Sequence, residues 1–333
     1  MSDVLITGGF GFLGSHLTEL LLKEGDDNVH VVDNLSTSPL PLEELLSQLP
    51  AGRLSYEIAD LSSALENLSR SQPRIIYHTA SLVGPAAILA HAGFIAFHIL
   101  SDALAVAGLA MRTGSRLVYV SSSEVYGGGV NGLCSETMPV RIAGPSTARS
   151  EYALGKLAAE VALTNLHRAK GLDLCIVRPF NVAGPRQSGT GGFVLPRFAG
   201  QALASLPLTV FGDGTQRRAF TDVRDIAAGL RQIAARGETG EVYNLGNPDN
   251  ACTILELAQE VREVTRTSSS ISFVDPRQIY GPLYAEANDK FPDTAKSRGI
   301  GWRPVRNRMQ IIEDTVGLMR SAPPATRRRL QGF

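Results

Sequence analysis

Two residues four positions apart could form an acid–base pair in this chain. Tyr152 and Lys156 fall within a predicted helix over 150–169, and their spacing places both side chains on one helix face. A free tyrosine has a pKa of about 10 and is a poor base near neutrality. A neighbouring ammonium group favours the phenolate and lowers that pKa. We therefore predict that Tyr152 takes a proton from a substrate hydroxyl with the help of Lys156.

A run of hydroxyl and carboxyl side chains follows a predicted strand over 117–121. It comprises Ser121, Ser122, Ser123 and Glu124, and it leads into Val-Tyr-Gly. A serine hydroxyl at this place can hydrogen-bond the reacting oxygen and direct the proton. We predict catalytic roles for Ser122, Ser123 and Glu124. A plain hydrogen bond to the backbone is the alternative for Glu124.

A glycine-rich segment at 7–14, Thr-Gly-Gly-Phe-Gly-Phe-Leu-Gly, follows one apolar run and opens a helical pattern. Glycines let the backbone approach a pyrophosphate, and a helix N-terminus supplies free N–H groups for it. Asp33 ends the next predicted strand, where a carboxylate can accept hydrogen bonds from a ribose and repel a 2′-phosphate. No Arg or Lys lies between Asp33 and Pro50. The segment therefore predicts bound NAD rather than NADP, with Gly8, Gly11, Phe12 and Leu13 at the cofactor.

Strand and helix patterns alternate through the first half of the chain, which positions these groups. Continuously apolar strands that alternate with helices indicate an α/β fold with a doubly wound, Rossmann-type parallel sheet. We expect an NAD-binding domain over 1–180, to which 220–247 returns. The rest, 181–333, is expected to form a smaller, partly irregular substrate domain, with 276–292 as a loop. Ligands should bind at the carboxyl ends of the strands.

Composition excludes several classes of function. Lys plus Arg and Asp plus Glu are each 32, so the net charge is zero and nothing favours nucleic acid or an acidic membrane. The three cysteines have no C-x-x-C spacing, so we expect no zinc or other metal site and a reducing cytoplasm. The apolar stretch over 86–111 is interrupted by His91, His98, Ser101 and Asp102, which favours buried helices over a membrane span.

Together these motifs resemble the extended short-chain dehydrogenases/reductases of the nucleotide-sugar epimerase/dehydratase family. The segments that carry the resemblance are TGGFGFLG, DNLS at 33–36, HTAS at 78–81, SSSEVYG, YALGK, RPFNVAGPR at 178–186, GDGTQRRAFTDVRD at 212–225 and YNLGNP at 243–248. The resemblance implies NAD, a UDP- or dTDP-sugar substrate oxidised at C4, and a homodimer. It also implies further cofactor contacts from Asn34, Ser36, Asp60, Leu61, Ala80, Leu82, Ser121 and Pro179. Asp60 could alternatively be only a helix cap.

Within that family, the chain most resembles the UDP-glucuronate decarboxylases. Ser123 stands where the dehydratases carry an Asp, and Glu124 supplies an acid that simple 4-epimerases usually lack. The resemblance further implies substrate contacts from Arg149, Asn181, Arg218 and Tyr284. In such enzymes the 4-ketone turns the C6 carboxylate into a β-keto acid, which loses CO₂ without a metal.

One position departs from the decarboxylase pattern. Lys290 stands where those enzymes have an active-site Arg, and a lysine cannot form the planar two-point clamp of an arginine on a carboxylate. We still predict Lys290 as a catalytic residue. A nucleotide-sugar 4-epimerase and a 4,6-dehydratase therefore remain alternatives. A non-catalytic NAD-binding sensor is the alternative from another class.

Overall fold

A computed structural model describes residues 3–68, 72–127, 132–142, 146–286 and 289–332. Its strands are β1 (Val4–Thr7), β2 (Val29–Asp33), β3 (Leu54–Ile58), β4 (Ile75–His78), β5 (Arg116–Val120), β6 (Gly132–Cys134), β7 (Leu174–Pro179), β8 (Val182–Ala183), β9 (Leu208–Phe211), β10 (Arg217–Ala219), β11 (Thr221–Asp222), β12 (Val242–Leu245), β13 (Ala251–Thr253), β14 (Ile271–Val274) and β15 (Lys290–Pro292). Its helices are α1 (Phe12–Glu24), α2 (Leu42–Gln48), α3 (Leu61–Leu68), α4 (Pro85–Ala90), α5 (Ile95–Thr113), α6 (Ala148–Lys170), α7 (Val194–Leu203), α8 (Val223–Arg236), α9 (Ile254–Thr265), α10 (Arg277–Tyr280), α11 (Ala295–Gly299), α12 (Arg308–Ser321) and α13 (Pro324–Gln331).

The central sheet has seven parallel strands in the order β12-β7-β5-β4-β1-β2-β3. Apolar side chains cover both of its faces. One core contains Leu17 from α1 and Leu230 from α8, and the other contains Val106 from α5 and Leu163 from α6. Burial of both faces explains the continuously apolar strands and confirms the Rossmann-type fold. The chain runs outward from β1 in one direction and from β4 in the other, which opens a crevice at their carboxyl ends.

The second half adds short two-stranded pairs and a separate core. Strands β9 and β14 pair in parallel, and β10 and β13 pair antiparallel. A third apolar cluster joins α7, α9 and α12 through Phe198, Leu257 and Ile312. Strand β12 belongs to the central sheet, next to β7. The domain limits given above stay a prediction.

The segment predicted as a loop over 276–292 contains regular structure at both ends. Helix α10 occupies its start, and β15 pairs in parallel with β6 at its end. Residues 287 and 288 lie outside the described part of the chain. The pairing of β15 with β6 joins segments far apart in sequence, so no local pattern could have predicted it.

Helix α5 has the length and mean hydropathy, 19 residues and 1.4, that a membrane-crossing helix needs. Core helices of soluble proteins meet the same criteria. One face of α5 is buried in the core beside the sheet, through Ile99, Ala103, Val106 and Ala110. This packing accounts for the apolar residues on that face of the helix.

Candidate active site

A cavity of about 1350 Å³ lies at the carboxyl ends of the central strands. Every site residue predicted from the sequence lines this cavity except Lys290. The parallel sheet explains the convergence, because residues that follow neighbouring parallel strands emerge at the same edge. The cavity is therefore the candidate active site.

The glycine segment closes one wall of the cavity tightly. Gly8 has φ of +73°, and a Cβ there would lie 2.6 Å from backbone atoms of Ala80. A Cβ on Gly14 would lie 1.9 Å from the carbonyl oxygen of Gly8. Helix α1 starts after Gly11 with no side-chain cap and no acidic residue in its first turn. Its N–H groups and partial positive charge are thus available to a dinucleotide pyrophosphate.

Two acids lie where an adenosine would be held. Asp33 accepts hydrogen bonds from the backbone N–H of Phe10 at 2.8 Å and of Leu35 at 2.7 Å. Burial raises the pKa of Asp33, and these backbone donors oppose that rise. Asp60 accepts from the side-chain amide of Asn34 at 2.8 Å. The buried hydroxyl of Ser81, on the same cavity wall, has no hydrogen-bond partner among the described residues. This donor and acceptor set fits NAD.

Tyr152 and Lys156 lie on one face of α6, which begins with a capping box formed by Thr147 and Ser150. Both are buried, and the lysine Nζ donates to the carbonyl of Val120 at 2.9 Å. Burial lowers the pKa of Lys156 to about 7. Burial also raises the pKa of Tyr152 above its usual value, although a hydrogen bond with Ser122 lowers it in part. Further positive charge at this site would therefore favour the phenolate.

The serines that follow β5 have different partners, some in the core and some at the cavity. Ser122 Oγ accepts the backbone N–H of Glu124 at 3.2 Å and so starts the short 3₁₀ turn Ser123–Tyr126. Ser121 Oγ donates to Glu160 Oε1 at 2.5 Å, deep in the core. Glu160 also forms a two-point ion pair with Arg178, and both are almost fully buried. Of the first two serines, Ser122 is thus the one with the hydrogen bond to Tyr152.

Glu124 is held between two cations. Arg149 Nε donates to Glu124 Oε2 at 2.7 Å, and its Nη2 donates to Oε1 at 2.9 Å. Lys290 Nζ donates to Glu124 Oε1 at 2.6 Å. Burial alone would raise the pKa of Glu124, but the two cations outweigh burial and hold it well below its usual range. Glu124 is consequently a carboxylate, and the three groups together carry one net positive charge.

The structure places Lys290 behind Glu124 and not in the cavity wall. Its side chain is 1% exposed, and Nζ also donates to the carbonyl of Ser123 at 3.3 Å. Strand pairing of β15 with β6 brings it there. A direct contact between Lys290 and a ligand has no support in this geometry. Its contact is with Glu124, which does line the cavity.

The remaining predicted substrate residues also line the cavity, and Arg149 donates to the carbonyl of Ala285 in the segment that carries Tyr284. Arg218 pairs with Glu286 at 2.5 Å, and Tyr284 donates its hydroxyl hydrogen to the same carboxylate at 2.8 Å. The Tyr284 ring stacks on Tyr280 with 5.3 Å between centroids. Asn181 donates to the carbonyl of Ala219 at 3.3 Å from a left-handed backbone. An aromatic ring next to an arginine suits a nucleoside diphosphate.

Asp102 and Arg197 are among the charged residues of the cavity wall that were not predicted as site residues from the sequence. Asp102 lies on α5, and Arg197 lies on α7 with its guanidinium 3.9 Å from the ring centre of Phe211. The signal for Asp102 was present, since it is the one acidic residue in the apolar helix Ile95–Thr113. Nothing in the local sequence distinguishes Arg197. Within the described ranges, no group of three or more His, Cys, Asp or Glu is arranged to hold a metal ion.

Comparison with known proteins agrees with this geometry. Residues 4–246 match the model of the NAD dependent epimerase/dehydratase family. The chain is 34% identical over 302 residues to UDP-glucuronic acid decarboxylase 1 of Arabidopsis thaliana, covering 90% of this chain and 66% of that protein. It thus spans slightly less than two thirds of that relative's length. It is 33% identical over 296 residues to a UDP-N-acetyl-alpha-D-glucosaminuronate decarboxylase of Bacillus cytotoxicus, covering 88% and 89%.

A solved structure has the same architecture. DesIV, a dTDP-glucose 4,6-dehydratase from Streptomyces venezuelae determined with NAD bound, superimposes with a TM-score of 0.82 at 27% identity, covering 95% of this chain and 96% of DesIV. The chain therefore belongs to the NAD dependent epimerase/dehydratase family. Membership confirms the resemblance drawn from the motifs and the class of NAD-dependent enzyme.

Proposed function

We propose that this protein is a decarboxylase of UDP-linked hexuronates that first oxidises the sugar at C4. The observation that carries the proposal is the pairing of Glu124 with both Arg149 and Lys290. One acid and two cations leave a net positive charge beside Tyr152. A neutral hexose gains nothing from that charge, whereas the C6 carboxylate of a uronate is attracted to it.

The residues of this chain divide the first step among them. NAD, when bound, accepts the hydride from C4 and later returns it. Tyr152 removes the proton of the 4-hydroxyl, and Ser122 holds the phenol by a hydrogen bond. Lys156 supplies the positive charge that makes the phenolate accessible. The buried hydrogen bond from Lys156 to Val120 fixes the lysine above the sheet edge.

The 4-ketone makes the C6 carboxylate a β-keto acid. The C5–C6 bond breaks, CO₂ leaves, and the bonding electrons move to C5 and the C4 oxygen as an enolate. Tyr152 and Ser122 are placed to donate hydrogen bonds to that oxygen. C5 then takes a proton, and Tyr152 gives its proton back to the C4 oxygen as the 4-hydroxyl is formed again. The net change is UDP-hexuronate plus one proton to UDP-pentose plus CO₂. We propose that Glu124 and Arg149 orient the carboxylate.

The relatives support this choice among the family's reactions. Both relatives named above are decarboxylases of UDP-linked uronates by name. Ser123 in place of an Asp gives no acid to protonate a departing 6-hydroxyl, which disfavours 4,6-dehydration. We place the nucleotide with Arg218 at the diphosphate and Tyr284 beside the base. A bound diphosphate would compete with Glu286 for Arg218.

The test is to incubate the protein with NAD and UDP-glucuronate and to determine the mass of the nucleotide-sugar product by mass spectrometry. We expect loss of CO₂ with the wild type and none with Tyr152→Phe. A changed sugar of unchanged mass would establish a 4-epimerase and overturn the decarboxylase. UDP-N-acetylglucosaminuronate is the second substrate to test. If NAD binds but no UDP- or dTDP-sugar is turned over, the protein is a sensor.

We also propose that the protein is a homodimer formed through α5 and α6. These helices pack together and carry large exposed apolar side chains, among them Phe97 at 68%, Val161 at 54% and Leu154 at 49% exposed. A second copy of the same surface would cover them. Light scattering should give a dimer for the wild type and a monomer for Phe97→Glu. A wild-type monomer would overturn this proposal.

A further inference from the structure

Asp102 is an acidic side chain on the otherwise apolar helix α5. It is partly buried and lines the cavity, and its carboxylate has no hydrogen-bond partner among the described residues. Burial raises the pKa of this carboxyl group, while His98 and Lys156 oppose that rise. A carboxylate placed against an apolar core without a donor costs stability unless a charge compensates it. We therefore expect a cation near Asp102 to offset this cost.

Lys156 lies on α6, which packs against α5, and it lines the same cavity as Asp102. The titratable groups around Lys156 come from four elements and are His78 on β4, Tyr119 on β5, Asp102 on α5, and Tyr152 and Glu160 on α6. His78 is neutral, because burial lowers its pKa to about 3. Glu160 already binds Arg178 at two points. Glu160 and, to a lesser extent, Asp102 raise the pKa of Lys156, and of these two carboxylates Asp102 is the one without a hydrogen-bonded cation in the described chain.

We propose that Asp102 is the counter-charge of Lys156, a positioning residue that keeps the buried amine protonated so that Tyr152 can act as a base. Only the role of Tyr152 as a base rests on the proposed function; the charge pairing itself does not. It holds for any sugar that the enzyme oxidises. The groups facing Asp102 are His98 one turn earlier, Lys156, Asp60 and Tyr119. The hydroxyl of Tyr119 is buried and has no hydrogen-bond partner among the described residues.

Competitive labelling of the full-length protein tests this pairing without any turnover. The rate at which acetic anhydride modifies Lys156, followed by mass spectrometry over a range of pH, gives the pKa of that amine. In Asp102→Asn the amine should lose its proton about one pH unit lower than in the wild type. Asp102→Glu keeps the negative charge and should bring the pKa of Lys156 most of the way back to the wild-type value. Asp102→Ser is a second neutral variant if the asparagine does not fold.

Asp33→Asn is the matched control, because it removes the same charge from the same cavity but from a residue that acts on neither Asp102 nor Lys156. Its labelling curve should coincide with the wild-type curve. Where substrate is turned over, Asp102→Asn should be active over a narrower pH range than the wild type, with both the acid and the alkaline limb of the kcat profile shifted inward. The lysine loses its proton at lower pH, and the less protonated lysine supports the phenolate less. An unchanged Lys156 curve in both neutral variants overturns the proposal, whether or not the protein decarboxylates uronates.

Discussion

Lys290 Nζ lies 2.6 Å from Glu124 Oε1, across 166 residues of sequence. The lysine is buried behind the acid, and the acid lines the cavity with Arg149 on its other side. This relationship changes the meaning of the lysine that stands where the decarboxylases have an arginine. A lysine in this position need not clamp a substrate carboxylate. It holds Glu124 charged and sets the net charge of the wall that a substrate meets.

Replacing Lys290 by Met should destabilise the protein strongly. The variant leaves Glu124 buried with one cation instead of two, and removing one partner of a buried ion pair costs about 3 kcal/mol. Lys296→Met is the control, since it breaks an ion pair with Glu241 whose partners are 34% and 46% exposed. That loss should stay below about 1 kcal/mol. Urea unfolding measures both, and equal losses would contradict a special role for the buried pair.

Glu124 should make the stability of the protein depend on acid pH. Its pKa is lower in the folded protein than in the unfolded chain, where it is about 4.3. The ionised carboxylate therefore contributes stability above that value, and the contribution is lost as pH falls toward the folded-state pKa. Between about pH 5 and 2, the free energy of unfolding should fall more steeply in the wild type than in Glu124→Gln. Parallel curves would show that Glu124 has an ordinary pKa.

Asp33→Asn should weaken NAD binding by about tenfold, because charge-assisted hydrogen bonds to the ribose become neutral ones. The preference for NAD over NADP should fall as well, since a neutral amide no longer repels a 2′-phosphate. Asp26→Asn removes an exposed acid after the preceding helix and should change neither affinity. Isothermal titration measures the constants. An unaltered NAD affinity in Asp33→Asn would place the adenosine elsewhere.

Gly8→Ala should cost both stability and cofactor binding. The new Cβ would meet the Ala80 backbone at 2.6 Å in addition to the strain of a positive φ. Gly52→Ala isolates the strain, because Gly52 has φ of +100° and nothing within 4 Å of a Cβ. We expect about 1 kcal/mol for Gly52→Ala and clearly more for Gly8→Ala, measured by thermal unfolding with and without NAD. Equal costs would mean that the Gly8 loop has room to move.

Much of the fold and site could be predicted from local sequence. The glycine segment, Asp33 and the Tyr152–Lys156 spacing each act within one strand, turn or helix, where a few neighbouring residues decide the geometry. Parallel strands then bring their carboxyl ends to one edge, so most predicted site residues line one cavity. The prediction of a loop over 276–292 was wrong at both ends, where α10 and β15 form. Strand β15 exists only through its pairing with β6, which local sequence does not reveal.

The amino-acid sequence by itself determined the NAD-binding motif, the acid–base pair and the doubly wound sheet, since these depend on spacing and on short-range sterics. Only the tertiary structure decided which charges meet. Lys290 joins Glu124 from a distant strand, Glu160 binds Arg178 in the core, and Asp102 is left facing Lys156. The energy of a charge depends on its burial and on its partner, and both are set by segments far apart in the chain.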